Sequence, residues 1–360
     1  MTQTPYKLKD TSRLNPFSID YQECKALKGM AIIGILLHNF CHSLPGACPE
    51  NEFVFSIENN YLFWDVFFSR DFFIQFFSFC GHLGVPIFIF LSGYGLSVKY
   101  ESIQINSKTF TVSHYKKLFV PLFLGTVAYC IITYIGNGSW IMSIKNFILQ
   151  LLMILNLFPH PELTIDPGPF WYFGVTMQLY IIYKLMIHHR PSYYIIGLTI
   201  LSGIILAMTK NHPNVLMYMK YNCIGWLLPF LMGILLARHP IRHCPFDSKI
   251  KWIAAWIVSL MLWILFSLHF QLWLLLPGII IICAIFFIKT LPNYFIRLLS
   301  FVGELSLIIF VIHPILRPVL LPKIYQIGVY PSLILYFVLT LLVSYVIFKI
   351  KGRWSLKPGW

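Results

Sequence analysis

The chain has 360 residues, of which 58% are hydrophobic and only 11% are charged. A soluble domain carries roughly 25% charged residues, so this chain has too few of them to cover a water-facing surface. The composition excludes a disulfide-rich secreted protein, a disordered chain and an ordinary soluble enzyme, and it predicts an all-α integral membrane protein. The net charge of +14 would indicate a nucleic-acid partner in a soluble protein. In a membrane protein it marks the cytoplasmic loops instead, and we expect no nucleic-acid partner.

Ten segments are apolar enough to be membrane-spanning helices, each of which needs about 20 predominantly apolar residues. The chain is therefore predicted to be a polytopic transmembrane helix bundle with about ten spans. The predicted domains are a cytoplasmic tail over 1–23, a membrane-embedded domain over 24–350 and a second cytoplasmic tail over 351–360. The ten segments are roughly 26–44, 81–98, 118–136, 170–187, 192–209, 217–237, 252–268, 271–288, 299–320 and 330–349.

The segment 140–158 is apolar but also contains Lys145, Asn146, Gln150 and Asn156. If it lies along the outer interface, 21 of the 27 Lys and Arg residues and both termini face the cytoplasm. If it crosses the membrane, every later loop changes sides and the asymmetry disappears. The positive-inside rule favours the first arrangement, which makes this segment an interfacial helix.

The long loop after the first span is rich in acidic and aromatic residues. Its aromatic rings are consistent with a belt at the membrane surface, or alternatively with a cover over a binding cavity. Cys48 and Cys80 flank the loop, and a disulfide between them is left open. The eight cysteines include no Cys-x-x-Cys pair, which argues against a structural zinc site or an iron–sulfur cluster. The acidic residues are Glu50, Glu52, Glu58, Asp65 and Asp71.

His38 interrupts the otherwise apolar first span, ten residues after Lys28, which is about 15 Å along a helix. Ionisable side chains are expensive within a bilayer and are functional candidates there. The ring is either a neutral hydrogen-bonding group between helices or a general base that takes a proton from a hydroxyl. His42 follows at a spacing that suits metal binding, but no third ligand is identifiable, so we predict no metal site.

The ninth predicted span contains two further candidates, Glu304 and His313, which we expect to face the bundle rather than lipid. Neither a P-loop nor a Gly-x-Gly-x-x-Gly motif occurs, so nucleotide hydrolysis and dinucleotide redox chemistry have no support. Small residues allow membrane helices to approach closely, and we interpret five glycines in this way. They are Gly29, Gly34, Gly84, Gly93 and Gly95.

Five segments occur in an order that one known family shares. They are Leu27-Lys28-Gly29 with His38, Gly84-Val85-Pro86 with Ser92-Gly93-Tyr94, His114-Tyr115-Lys116-Lys117 with Pro121, Phe170-Trp171-Tyr172-Phe173 with Tyr180, and Gly303-Glu304 with Ser306 and His313-Pro314. Together they resemble the acyltransferase 3 family of bacterial integral membrane proteins, and the resemblance covers roughly 20–350.

The resemblance implies transfer of an acyl group, usually acetyl, from cytoplasmic acyl-CoA to a hydroxyl of a glycan or lipid-linked saccharide. It implies a multi-pass protein of the bacterial cytoplasmic (inner) membrane, with acyl-CoA as donor substrate and no permanently bound cofactor. His38 would be the catalytic histidine, and Lys28, Lys116 and Lys117 would meet the coenzyme A phosphates. The other site candidates are Lys25, His42, Ser92, Tyr94, Trp171, Tyr180, Glu304 and His313.

The chain departs from the family pattern around Lys28. The family usually has arginine at this position and at those of Lys116 and Lys117, and lysine lacks the planar bidentate recognition of phosphate. The usual spacing to the histidine is eleven, whereas ten residues fall about 80° short of the same helix face. Lys25 is therefore an alternative partner for His38.

A transporter or flippase of a polysaccharide precursor is the alternative function, since histidine and glutamate within a bundle also suit proton-coupled transport. A non-catalytic membrane scaffold is a third possibility. The identity of the acceptor, the length of the acyl chain and the oligomeric state are not readable from the sequence.

Overall fold

The computed structural model describes residues 19–240, 246 and 248–354, and within this part every regular element is helical. Most of both predicted tails lies outside the described residues. The first half contains α1 (Tyr21–Cys41), α2 (Ile57–Val66), α3 (Phe72–Cys80), α4 (Gly84–Tyr100), α5 (Ser107–Asn137), α6 (Ile144–Leu151), α7 (Pro161–Thr164), α8 (Trp171–Ile182) and α9 (Ser192–Met208). The second half contains α10 (Pro213–Lys220), α11 (Leu227–Arg238), α12 (Lys249–Ser267), α13 (Phe270–Trp273), α14 (Leu276–Thr290), α15 (Asn293–Leu320), α16 (Ile324–Ile327) and α17 (Val329–Trp354).

Six helical segments among the described residues are long and apolar enough to cross a membrane, or seven if α10 and α11 form one span bent by 73°. The chain is thus a multi-pass, all-helical membrane protein. Helices α9 and α14 are apolar but shorter, with 17 and 15 residues. Each of the ten predicted segments coincides with a helical stretch, while the count of ten spans and the side of the termini stay predictions.

The second crossing segment begins earlier than the sequence analysis placed it. Residues 72–80 were assigned to the outer loop because of their aromatic content, but they form α3, which continues through a 3-10 turn at Gly81–Leu83 into α4. Together they make one apolar segment of 29 residues, Phe72–Tyr100. The short helix α6 has only 8 residues, about 12 Å, so it is too short to cross a bilayer.

Helix α1 lies at the centre of the bundle between α15, α3 and α4. Asp20 is the N-cap of α1 and forms a capping box with Glu23. The Asp20 carboxylate accepts a hydrogen bond from the backbone N–H of Glu23 at 2.7 Å, and the Glu23 carboxylate accepts one from the backbone N–H of Asp20 at 3.0 Å. Lys25 and Glu304 join α1 to α15 through an ion pair of 2.5 Å. The capping box defines the start of α1, and the ion pair joins this helix, which carries His38, to α15.

Four of the five glycines lie where helices approach closely. A methyl group on Gly29 would collide with the backbone of Leu299 on α15, and Gly34, Gly84 and Gly93 each face the backbone of another helix in the same way. The packing interpretation is wrong for Gly95, since no heavy atom lies within 4 Å of the place where its Cβ would be. Gly95 instead lines a cavity.

Candidate active site

His38 lies near the end of α1 with only 7% of its surface exposed. Its Nδ1 lies 3.2 Å from the carbonyl oxygen of Phe77 on α3. A carbonyl oxygen only accepts hydrogen bonds, so Nδ1 carries the proton and Nε2 of the neutral ring is left as an acceptor. Gly81 makes this contact possible, because a Cβ there would lie 2.5 Å from that of His38. The fold therefore selects the tautomer that a general base requires.

A cavity of about 170 Å³, which we call the histidine cavity, adjoins His38. Its wall combines polar groups from α1, α15 and the first loop with aromatic rings from α8 and the loop before α11. Phe53 and Tyr221 stack at 4.2 Å between ring centroids, and Trp171 stacks on Trp226 at 5.3 Å. The lining residues are Ile35, His38, Asn39, Glu52, Phe53, His82, Val85, Gly168, Pro169, Trp171, Tyr172, Tyr221, Phe310 and Arg317.

Two carboxylates of the first loop lie beside His38. Glu50 accepts a hydrogen bond of 2.8 Å from Nδ1 of His42, whose ring stacks on that of His38 at 5.2 Å. Burial favours the protonated form of Glu50, but the bond from His42 and the nearby His38 and His82 outweigh it and lower its pKa to about 2. Burial and the charge of Glu50 raise the pKa of Glu52 well above its usual range.

A second cavity of about 360 Å³, which we call the lysine cavity, lies further toward the N-terminal end of α1. Three cations, Lys28, Lys99 and Lys117, line it, together with His114. The His114 ring is buried and lies 4.9 Å from that of Tyr180. The other lining residues are Ile35, Val85, Phe88, Leu91, Ser92, Gly95, Leu96, Tyr100, Leu118, Tyr172, Phe173, Thr176, Tyr180, Ser306, Leu307 and Phe310.

The two cavities share four lining residues, Ile35, Val85, Tyr172 and Phe310. The two cavities are therefore neighbours, separated by a wall that these four side chains form. Ile35 is seven residues from Lys28, two full helical turns, so the two lie on nearly the same face of α1. The pair of cavities thus runs along α1 from the cations at one end to His38 at the other.

Six of the residues proposed from the sequence line a cavity. His38 and Trp171 line the histidine cavity, and Lys28, Lys117, Ser92 and Tyr180 line the lysine cavity. The ten-residue spacing from Lys28 to His38 is compatible with this division, because the two side chains line different cavities. Lys28 need not share the helix face of His38.

The remaining proposed residues lie elsewhere. Lys25 and Glu304 pair with each other away from both cavities. Lys116 is exposed and Tyr94 donates to the carbonyl of Ile19 at 3.3 Å. His313 is fully buried, with Nδ1 donating to the carbonyl of Ile309 at 3.1 Å, and His42 donates to Glu50 at 2.8 Å. Cys48 and Cys80 are both buried free thiols.

Sequence reasoning did not select as site candidates five acidic, basic or histidine residues that line the cavities. They are Glu52, His82 and Arg317 in the histidine cavity, and Lys99 and His114 in the lysine cavity. His82 and Arg317 had a detectable signal, since each is an ionisable side chain next to or within an apolar helix. Glu52 had none, because it stands in a loop among other acids.

A family model described as an acyltransferase domain matches residues 21–349, nearly the whole chain. No curated protein and no solved structure matches this chain. The matched range contains all helices that form the two cavities.

Proposed function

Since the chain belongs to the acyltransferase 3 family, we propose that it is a membrane O-acyltransferase that moves an acetyl group from cytoplasmic acetyl-CoA to a hydroxyl of a cell-surface or exported glycan. In this proposal the protein lies in the bacterial cytoplasmic membrane with ten spans and both termini in the cytoplasm. No cofactor is permanently bound, and acyl-CoA is the donor substrate.

The observation that carries the proposal is the wall of four side chains that the two cavities share. An acyl thioester and a hydroxyl must meet at a base, although coenzyme A and the glycan are on opposite sides of the membrane. The lysine cavity offers cations to the donor, and the histidine cavity offers a base and aromatic rings to the acceptor. The shared wall of Ile35, Val85, Tyr172 and Phe310 is where the thioester would lie.

The chemistry needs one base that accepts a proton as the tetrahedral intermediate forms and returns it as the intermediate breaks down. Nε2 of His38 accepts the proton of the acceptor hydroxyl while its oxygen forms a bond with the thioester carbonyl carbon. The carbon–sulfur bond then breaks, and the coenzyme A thiolate takes the proton from His38. The hydrogen bond from Nδ1 to the Phe77 carbonyl holds the ring through both transfers and stabilises its protonated state.

Lys28, Lys99 and Lys117 suit the phosphates of coenzyme A. They line one cavity on three different helices, α1, α4 and α5, so their charges converge from separate directions. In the topology with cytoplasmic termini, this cavity opens toward the cytoplasm. Ammonium groups attract phosphates as point charges and tolerate several geometries.

The aromatic wall suits the acceptor. Sugar rings expose apolar C–H faces that pack on aromatic rings, and Phe53, Trp171 and Tyr221 present such rings next to His38. The first loop supplies one of them, as expected for a cover over a binding cavity.

The direct test uses the purified full-length protein, acetyl-CoA with a labelled acetyl group, and a panel of glycans. We expect label to appear in an ester of one glycan without a proton gradient. A transporter would instead move glycan across vesicle membranes in response to the gradient and leave acetyl-CoA intact. In cells, His38→Ala should remove the ester signals from the NMR spectrum of the surface glycan, and unchanged signals would refute the assignment of His38.

A further inference from the structure

Nitrogen and oxygen atoms converge beside His38 in a way that general-base catalysis does not require. One ligand atom each from His38, Glu50 and Glu52 can be chosen so that all three lie within 4.8 Å of one another. The histidine comes from α1, and the two carboxylates come from the loop between α1 and α2. One imidazole with two carboxylates is a donor set that borderline divalent metals such as Zn²⁺ accept.

The groups behind these atoms have the arrangement of a metal site's outer shell. Metal-binding histidines usually donate their other ring N–H to a carbonyl or carboxylate, and metal-binding carboxylates are themselves hydrogen-bonded. Nδ1 of His38 donates to the carbonyl of Phe77 at 3.2 Å. Glu50 is held by His42 at 2.8 Å. Both prospective ligands are therefore already oriented by partners on the side away from the cavity.

Glu52 has no comparable partner. Its carboxylate lines the histidine cavity, and no hydrogen bond or ion pair to it occurs among the described residues. The charge of Lys220 acts on Glu52, but its ammonium lies over the rings of Trp226 and Trp273, at 5.2 and 4.6 Å from their centroids. Arg317, which lines the same cavity, faces the Asn39 side chain at 3.3 Å. Because neither cation forms an ion pair with Glu52, its carboxylate oxygens are available to a bound cation.

His82 gives a second, independent indication of a ligand. Only 8% of its surface is exposed, it lines the same cavity, and its Nδ1 has no hydrogen-bond partner among the described residues. Buried polar atoms are nearly always hydrogen-bonded, so such an atom needs an explanation. Its ring centroid lies 5.6 Å from that of His38, which places it next to the three prospective ligands.

We propose that His38, Glu50 and Glu52 form a binding site for a divalent transition-metal ion such as Zn²⁺, with His82 beside the site in the wall of the same cavity. Binding uses the lone pair of Nε2 on His38, which is the same lone pair that accepts the hydroxyl proton. Metal occupancy and acyl transfer therefore exclude each other, and the metal is an inhibitor. The inhibition rests on the proposed function, whereas the binding site rests on the geometry alone.

The binding test uses the purified full-length protein after removal of metals with a chelator, titrated with Zn²⁺ in a calorimeter. We expect one ion per chain at this site, and Glu52→Gln should weaken its binding by at least about tenfold, because losing even an outer-shell partner costs about 10–100-fold. Glu162→Gln is the matched control, since Glu162 pairs with His160 at 3.1 Å but lies away from both cavities. Unchanged affinity in Glu52→Gln, or an equal loss in the control, would overturn the site.

A spectroscopic measurement guards against a variant that only misfolds. Co²⁺ replaces Zn²⁺ in such sites and absorbs visible light with an intensity that depends on its inner ligands. We expect the absorption in the wild-type protein and in Glu162→Gln, and its loss in a Glu52→Gln protein of unchanged helical circular dichroism. An identical Co²⁺ spectrum in all three proteins would contradict the proposal.

The inhibition is measured separately as the rate of acetyl transfer against Zn²⁺ concentration. We expect chelator to restore the rate and Glu52→Gln to raise the half-inhibitory concentration, relative to its own metal-free rate, by about the factor seen in binding. A protein that binds one ion here but transfers no acetyl group would leave the site standing and refute the proposed function. A protein that transfers acetyl groups but binds no ion would refute the metal site and leave the proposed function standing.

Discussion

At the residue scale, the proposed chemistry depends on one nitrogen of His38. The bond from Nδ1 to the carbonyl of Phe77 fixes the tautomer, so we expect His38→Gln to remove the base while keeping a side chain in place. General acid–base catalysis contributes about 10²–10⁴-fold, and kcat should fall by at least about 100-fold. The KM for acetyl-CoA should change by less than about threefold, since the lysine cavity is intact. Initial rates of label transfer measure both.

The control for this variant is His160→Gln, which changes an exposed histidine paired with Glu162 outside the cavities. It should transfer acetyl at the wild-type rate. If His38→Gln keeps more than a tenth of the wild-type kcat, His38 does not act as the base.

Two neighbouring lysines offer a second test at this scale. Both side chains are exposed, but Lys117 lines the lysine cavity and Lys116 does not. A hydrogen bond to a charged group contributes about 1.5–3 kcal/mol, so Lys117→Ala should raise the KM for acetyl-CoA by about tenfold or more. Lys116→Ala removes the same charge one position away and should leave KM unchanged. Equal effects of the two substitutions would show that only net charge matters.

At the scale of the elements, close packing of α1 on the turn before α4 positions His38. A methyl group on Gly81 would lie 2.5 Å from both the Gly34 carbonyl oxygen and the Cβ of His38. We expect Gly81→Ala to push the two elements apart and to reduce kcat by at least about tenfold, because small misplacements in an active site are costly. The acetyl-transfer rate of the folded, membrane-inserted variant measures the effect.

Gly203→Ala in α9 is the control, because no heavy atom lies within 4 Å of its added Cβ. Alanine also favours helix over glycine by about 1 kcal/mol, so this variant should be at least as stable as the wild type. A Gly81→Ala protein with wild-type activity would show that the contact between α1 and the turn does not position His38.

The sequence predicts elements and single residues better than it predicts contacts. His38 is recognisable because an ionisable residue interrupts an apolar run, and each predicted span coincides with a helical stretch. Glu52 and Lys99 are not recognisable, because their roles arise only when a loop or another helix meets α1. Gly29 and Gly95 look alike in sequence, yet one touches α15 and the other faces open space. The local sequence does not determine these contacts, because they depend on which helices and loops pack against each other.

At the scale of the whole molecule, the two cavities are neighbours along α1. Three lysines line one of them, and the other has Glu52 and Arg317 in its wall with Glu50 beside it. The same asymmetry governs the predicted topology, in which 21 of the 27 Lys and Arg residues face the cytoplasm. The lysine cavity then opens on the side where acyl-CoA is made. The function and the topology are therefore linked, and an inverted chain would present its cations to the wrong compartment.

Three exposed positions test this topology with a membrane-impermeant maleimide applied to intact cells. Ser102→Cys should react only after the membrane is permeabilised, because its loop is cytoplasmic in the ten-span arrangement. Ser139→Cys and Asn211→Cys should react in intact cells, without permeabilisation.

The labelling of Asn211→Cys distinguishes an interfacial from a membrane-crossing segment 140–158, since a crossing there would place Asn211 in the cytoplasm. The 8 residues of α6 extend about 12 Å, less than half of the roughly 30 Å hydrocarbon core, so we expect Asn211→Cys to label from outside. The unsubstituted protein supplies the background from its own cysteines, and protection of Asn211→Cys in intact cells would refute the ten-span topology.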